Sequence, residues 1–275
     1  MFELLETFMA VYENNNFTKA ANELFVSQPT ISVHIEKLEK QIGVVLFERT
    51  GNKKIIPTSA AHLLYKNTRK AQNNWNNIIN EVVSLGNGSN RILKISASKT
   101  IGDYIIPKIW YELQKEYPNI NFEITITNSE NVFQSVYMLD ADIGLVESPL
   151  VFPDIDRKEF MHDKLVILGN PELQKWFLRE EGSGIRRYSD IYMMQQNILP
   201  EFILTINSNA AIMRLVEQGY GATVQSSLID HPNTIRREET TLVRPLYLIS
   251  NRNHPNLDDN IMQTIWHLLT CIKKG

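Results

Sequence analysis

Residues 17–36 read FTKAANELFVSQPTISVHIE, and their spacing governs how the rest of the chain is read. Ala20, Ala21 and Leu24 fall on one face of a short first helix, from about Phe17 to Phe25. Ser27 is a good N-cap for a second helix, and Pro29 stands in its first turn, where a missing N–H costs nothing. Ile31, Ile35 and Leu38 recur at i, i+4 and i+7 and form a stripe to be buried. The small alanines let the second helix cross close over the first. Gln28, Thr30, Ser32, Val33, His34 and Lys37 lie away from the stripe, a mixed polar surface suited to a groove of DNA. The pattern predicts a helix-turn-helix, whose second helix enters the major groove with its N-terminal residues at the base edges.

Extended to FTKAANELFVSQPTISVHIEKLEKQIGVVLFER, the stretch resembles the N-terminal signature of the LysR-type transcriptional regulators. The residues that carry the resemblance are Phe17, Ala20, Ala21, Leu24, Ser27, Gln28, Pro29, Ile31, Ser32, Ile35, Leu38, Glu39, Gly43, Leu46, Phe47 and Arg49. The flanks agree with it. A helix over 2–13 presents Phe2, Leu5, Phe8, Met9 and Tyr12 to cover the pair. Gly43 ends the helical pattern, and Val44–Phe47 opens a hairpin. Thr50-Gly51-Asn52 is its turn and Ile55–Pro57 its return strand. This wing places Lys53 and Lys54 near the phosphate backbone or the minor groove.

Thr58 then caps a long helix to about Leu85. Ala61, Leu64, Thr68, Ala71, Trp75, Ile78 and Val82 step by alternating threes and fours. This is the seam a two-stranded coiled coil requires, although such a stripe can also pack on its own domain. The resemblance implies the same linker-helix homodimer, assembled into a tetramer. Ala61 departs from it, standing where the family usually has glycine. Gly86-Asn87-Gly88-Ser89-Asn90 reads as a flexible linker. The expected domains are therefore a DNA-binding domain over 1–58, a dimerisation helix over 59–87 and an effector domain over 88–275.

The 275 residues carry a net charge of -3, so no global basic signature marks a nucleic-acid binder. Averaged charge hides local patches. From Arg49 to Asn80 six basic residues occur with no acidic one, on either a phosphate-gripping or a simply solvated face. Cys271 is the lone cysteine, so an internal disulfide is impossible and a packed thiol is expected. The opening MFELLETF is acidic and amphipathic, unlike a leader, and no stretch reaches the length of a membrane span. Cytoplasmic residence is expected, with no membrane partner.

Beyond the linker, strand-like runs (92–97, 122–127, 143–146, 165–168, 202–206, 222–224 and 243–249) alternate with helix-like runs (among them 102–116, 130–139, 209–218 and 258–272), which reads as α/β with mostly parallel sheets. RILKISASKTIGDYIIP, DIGLVESP and INSNAAIMRLVEQGYGA look like landmarks of the LysR effector domain. That resemblance implies a two-lobed domain similar to periplasmic binding proteins. Its lobes would be 91–161 plus 241–275, and 162–240, with two crossover strands and the effector between them.

Ligands of such sheets bind beyond the carboxyl ends of strands, near helix N-termini. The candidates there are Ser98, Lys99 and Thr100; Thr127 and Asn128; Glu147 and Ser148; and Asn207 and Ser208. The same hydroxyls can act as plain helix caps. FLREEGSGIRR (177–187) is similar to a REPGSGTR segment of some of these regulators. With Arg179, Arg186 and Arg187 it favours a small anion held by charge-assisted bonds. Glu181 and Ile185 depart from that pattern.

GxGxxG, GxxxxGK[ST], HExxH and GxSxG are all absent from the sequence, which argues against catalysis. Metal ligands and cofactors are not expected either. A solute-binding protein without a DNA role is incompatible with residues 1–58. The expectation is a regulator whose paired winged helices read an interrupted palindrome in double-stranded DNA, with recognition helices about 34–36 Å apart. RNA polymerase would be a further partner. Gln28 is the best base reader, flanked by Thr30, Ser32, Val33, His34 and Lys37. Ser27 and Pro29 open the recognition helix. Phe17, Thr18, Lys19, Arg49, Lys53 and Lys54 are assigned to the backbone or minor groove.

Overall fold

The computed structural model describes residues 1–50, 54–87, 91–148, 150–152, 154–229, 235–254 and 257–272. The chain forms two compact units, Met1–Asn76 and Asn77–Gly275. In the first, α1 (Phe2–Asn14), α2 (Phe17–Glu23) and α3 (Gln28–Ile42) precede an antiparallel hairpin of β1 (Phe47–Thr50) and β2 (Lys54–Pro57). The long α4 (Ser59–Asn87) follows and continues into the second unit.

Helices α2 and α3 start where their caps dictate. The Asn16 side chain accepts from the amides of Thr18 and Lys19. The Ser27 hydroxyl accepts from the Thr30 amide at 3.3 Å, and Gly43, at φ 71°, ends α3. Ile31, Ile35 and Leu38 are buried against Phe8, Val11, Ala20 and Ala21. Each such side chain contributes about 1.5–3 kcal/mol through its removal from water. Glu39 of α3 reaches the wing, accepting from the amides of Leu46 and Phe47 at 2.7 and 3.2 Å.

The start of α4 departs from the sequence reading. Thr58 caps it as expected, accepting from the Ala61 amide at 3.2 Å. Ala61, however, is wholly buried in the core of this unit, and Leu64 packs against that core. Tyr12 of α1 stacks on Tyr65 at 4.0 Å, so the first turns of α4 are already covered by their own unit. Ala61 and Leu64 therefore do not belong to a free dimer seam. Farther along, Trp75, Ile79, Val82 and Val83 are exposed. Helix α4 also runs through Gly86 and Asn87, which had read as linker. Residues 88–90 lie outside the described residues, as do Gly51, Asn52 and Lys53 of the wing turn.

The second unit opens with β3 (Arg91–Ser98), α5 (Lys99–Tyr104), α6 (Ile106–Glu116), β4 (Ile120–Thr127), α7 (Ser129–Tyr137) and β5 (Ile143–Val146). The long β6 (Ile155–Gly169) leads to β7 (Lys175–Leu178), α8 (Gly184–Gln195), β8 (Phe202–Thr205), α9 (Asn209–Glu217) and β9 (Ala222–Ser226). The second long strand, β10 (Arg237–Asn251), and α10 (Asp259–Thr270) complete it.

One mixed sheet results, in the order β4-β3-β5-β10-β6-β9-β7-β8. Strands β3, β4 and β5 run parallel, as do β7, β8 and β9. The expectation of mostly parallel pairing fails at the centre. There β6 and β10 pair antiparallel along their lengths, because the chain crosses between the lobes once in each direction. Strand β6 begins ten residues before the expected Leu165. Its first half, IDRKEF, is largely exposed and lacks the apolar run that marks a buried strand. The single expected helix over 102–116 is two, α5 and α6, divided at Ile105 just ahead of Pro107, which lacks an N–H. One core lies under α6 and α10, where Ile109, Leu113, Ile261 and Ile265 cover Leu93, Ile95, Leu246 and Leu248.

Replacing Glu39 by alanine strands two amides at the root of the wing. Chemical denaturation should show a loss of about 1–3 kcal/mol. An exposed control, Lys40→Ala, should stay within about 0.5 kcal/mol; equal small losses would show that Glu39 is not a tie.

Candidate nucleic-acid interface and effector cleft

In the first unit, α3 presents Gln28, Pro29, Val33 and Lys37 to solvent, with Thr30 and Ser32 partly exposed. The Gln28 amide nitrogen donates to the Ser32 hydroxyl at 2.9 Å. Ser27 and Thr30 share a 2.8 Å hydroxyl bond. These polar groups are thus ordered along the helix N-terminus, within reach of a ligand surface. Thr18 and Lys19 are exposed at the start of α2.

Two assignments change. The His34 ring turns to α1, with Nδ1 2.9 Å from the Thr7 hydroxyl and Nε2 3.9 Å from Glu3. It braces two helices and is withdrawn from the exposed polar face of α3. Phe17 packs partly into the core, 6.3 Å from the Phe47 ring, so it positions α2. Arg49 and Lys54 sit on the wing strands, opposite Ile55 and Thr50. Phe25, at φ 55° in the turn between the helices, is 95 % exposed and was not anticipated.

In the second unit the expected effector residues divide. Ser98 and Thr100, each 2 % exposed, lie inside. The Ser98 hydroxyl makes no cap bond to α5. The Thr100 hydroxyl accepts from Arg244 Nη2 at 3.3 Å. Glu147, also 2 % exposed, accepts from the Ser129 hydroxyl at 2.8 Å. Asn128 and Ser208 instead cap α7 and α9, and Thr127 accepts from Asn131. Asn207 is exposed and offers its backbone carbonyl to the Lys99 ammonium. Its neighbour Asn209 is the buried one. Ser148 lines an adjoining surface cleft of about 440 Å³ with Arg186 and Arg187.

Arg179 is buried but already engaged. Its Nε and Nη2 grip Glu180 at 2.8 Å each, and Nη1 donates to Asn209 at 2.6 Å. Burial pushes the Glu180 carboxyl up, but the bonds and charge of Arg179 outweigh it and hold that carboxyl below its ordinary range. Arg186 is likewise paired, with Asp190 at 2.9 Å. Arg179 is therefore a positioning residue for Asn209.

Three residues that the sequence reading missed complete the interior: Asp163 on β6, Gln225 on β9 and Arg244 on β10. Arg244 Nε donates to Asp163 at 2.8 Å, and Ser226 donates to the other Asp163 oxygen at 2.7 Å. Burial pushes the Asp163 carboxyl up, opposed by Arg244 and Ser226. Among the described residues, the buried Ser98 Oγ, Asn209 Nδ2, Arg244 Nη1 and both ends of the Gln225 amide lack hydrogen-bond partners. For Arg244 the detectable signal was a charged residue within the apolar run VRPLYL; in ATVQS, where Thr223, Gln225 and Ser226 are all polar, no such signal marks Gln225.

The Gly-Ser-Gly segment has a packing role. At Gly182, φ 81°, an added Cβ would sit 2.5 Å from a Glu130 carboxylate oxygen. At Gly184 it would sit 3.1 Å from both Glu147 and Ser129. The Glu130 amide donates to the Gly182 carbonyl at 3.1 Å. The glycines thus let the loop before α8 close onto the start of α7.

Residues 2–62 match the family described as "Bacterial regulatory helix-turn-helix protein, lysR family", and residues 86–259 match "LysR substrate binding domain". The chain belongs to the LysR family. It is a DNA-binding transcriptional regulator with an effector-binding domain. Among relatives, it is 34% identical over 256 residues to the HTH-type transcriptional regulator CysL of Bacillus subtilis, covering 88% of this chain and 85% of that one. It is 29% identical to the uncharacterized HTH-type regulator YeiE of Escherichia coli K12, over 81% of this chain and 79% of that one. The fold is that of CbnR, a LysR family regulator, with a TM-score of 0.69 and 18% identity over the whole of both chains.

Alanine at Gly182 should destabilise this LysR regulator by about 1–3 kcal/mol in denaturant unfolding, through backbone strain and the clash with Glu130. An unchanged midpoint would show that the loop does not need its close approach.

Proposed function

We propose that this LysR regulator acts as a dimer, reading an interrupted palindrome with α3 of each protomer and sensing a small anion between the lobes of its second unit. The observation that carries the sensing claim is the inventory of buried groups without partners. Asn209, Arg244 and the Gln225 nitrogen are donors, Ser98 can donate or accept, and within this set the Gln225 oxygen is the one group that only accepts. A buried donor left unpaired costs about 1–3 kcal/mol, so an oxygen-rich ligand gains by satisfying several at once. Lys99, beside Asn207, adds a positive charge at the edge of this set.

For base reading, Gln28 is the leading candidate, since its amide can pair bidentately with adenine. Thr30, Ser32, Val33 and Lys37 flank it. Lys19, Arg49, Lys53 and Lys54 supply sequence-independent phosphate contacts. Dimerisation uses the exposed part of α4, around Ala71, Trp75, Ile78 and Val82, extended by Ile79 and Val83. Two dimers pairing into a tetramer, and contact with RNA polymerase, complete the reading. An effector shifts this assembly only by binding one arrangement better than another. This role places the chain in the cytoplasm and asks no chemistry of it.

Three outcomes test the reading. Gln28→Ala should cost about 1–3 kcal/mol on the cognate site and far less on random DNA; equal losses would remove it from base reading. Trp75→Asp combined with Val82→Asp should yield monomers in sedimentation, and a persisting dimer would refute the seam. In a thermal-shift screen of the full chain, metabolite anions should raise the melting temperature, and Ser98→Ala should reduce that response. Stabilisation by neutral or cationic compounds alone would contradict the anion assignment.

A further inference from the structure

We propose that the interior between the lobes, at Arg244 and Glu147, selects oxyanions that retain a proton of their own, of which hydrogen phosphate and bicarbonate are the smallest examples, over isosteric oxyanions that lack one. This inference rests on the anion reading and names the class of anion.

The charge arrangement around Arg244 carries it. Arg244 is fully buried and is balanced by Asp163, at 2.8 Å from both Nε and Nη2. Both Asp163 oxygens are occupied, one by Arg244 and the other by the Ser226 hydroxyl. Glu147 is therefore a second carboxylate beside one guanidinium. Its Oε2 accepts from Ser129, while Oε1 faces Arg244 Nη1 at 3.6 Å. That separation exceeds hydrogen-bond reach. A buried donor and a buried acceptor thus confront each other without bonding, and Arg244 Nη1 is left without a hydrogen-bond partner.

A ligand that uses Arg244 Nη1 must also lie against Glu147 Oε1, 3.6 Å away. There a fully deprotonated oxygen meets another anionic oxygen, lone pair against lone pair, in a low-dielectric interior. A ligand O–H removes the conflict. It donates to Glu147 Oε1 while a second oxygen of the same group accepts from Arg244 Nη1. Sites that offer a hydrogen-bond acceptor to a substrate O–H strongly reject the analogue without it, because the acceptor is then left buried and unpaired.

The test uses the full chain and two isosteric pairs near neutral pH: phosphate against sulfate, and bicarbonate against nitrate, each titrated by calorimetry. The protonated member of at least one pair should bind about ten-fold more tightly than its partner, or better. In Glu147→Gln the amide can present an N–H, so that ratio should fall by about ten-fold. If this variant fails to fold by circular dichroism, the wild-type ratios decide alone. Wild-type protein that binds sulfate or nitrate as well as its partner overturns the inference and leaves the anion reading standing. Binding of none of the four overturns the inference, and the anion reading falls with it only where the metabolite screen also finds no stabilising anion. A ratio that Glu147→Gln leaves unchanged in a folded chain removes Glu147 as its source and overturns the inference.

Discussion

Where β6 and β10 pass from one lobe to the other, Arg244 and Asp163 meet at 2.8 Å, both out of reach of water. Burying two charges is costly, and only good geometry with further hydrogen bonds offsets it. Here Ser226 and Thr100 provide those bonds, so strands β9 and β10 and helix α5 are all held to one point. Removing one partner of such a pair costs about 3–5 kcal/mol, since the other charge is left buried and alone. The antiparallel centre of the sheet, the closeness of the lobes and the donor-rich interior all depend on this contact. It also fixes Arg244 Nη1 opposite Glu147, where a ligand would find both a donor and an acceptor.

The first unit follows a different logic, being held by local rules. Asn16 and Ser27 cap successive helices, alanines permit a close crossing, and Glu39 ties the recognition helix to the wing. These features orient Gln28, Val33 and Lys37 outward without involving them in the core. Residues proposed to read the groove can then be substituted while the frame persists. His34 illustrates the boundary, since its place on α3 looked suited to DNA, yet it serves the frame through Thr7.

That contrast explains what could be read from the sequence. Helix caps, the Ile31–Ile35–Leu38 stripe and the pairing of the two wing strands depend on residues close in sequence, so spacing reveals them. Glu147 and Ser98 were accessible because strand ends at the cleft are placed by topology. Arg244 and Asp163 are 81 residues apart in sequence and join only through the β6–β10 register. Gln225 and Asn209 likewise acquire meaning only once burial is known. Ala61 fits the heptad spacing as well as Trp75 does, but α1 covers one end of α4 and leaves the other exposed. The arginines of residues 177–187 suggested an open anion trap. Arg179 and Arg186 are paired with neighbouring carboxylates, and the role of the adjoining glycines is close packing.

The central claim is that the interior between the lobes receives an oxyanion at Ser98, Arg244 and Glu147. Anomalous diffraction from crystals of the full chain soaked in hydrogen arsenate addresses it most directly, because arsenic locates itself. An arsenic peak is expected whose oxygens lie within hydrogen-bond reach of Ser98 Oγ, Arg244 Nη1 and Glu147 Oε1. Arsenic found only at surface lysines and arginines, with that interior unaltered, would contradict it.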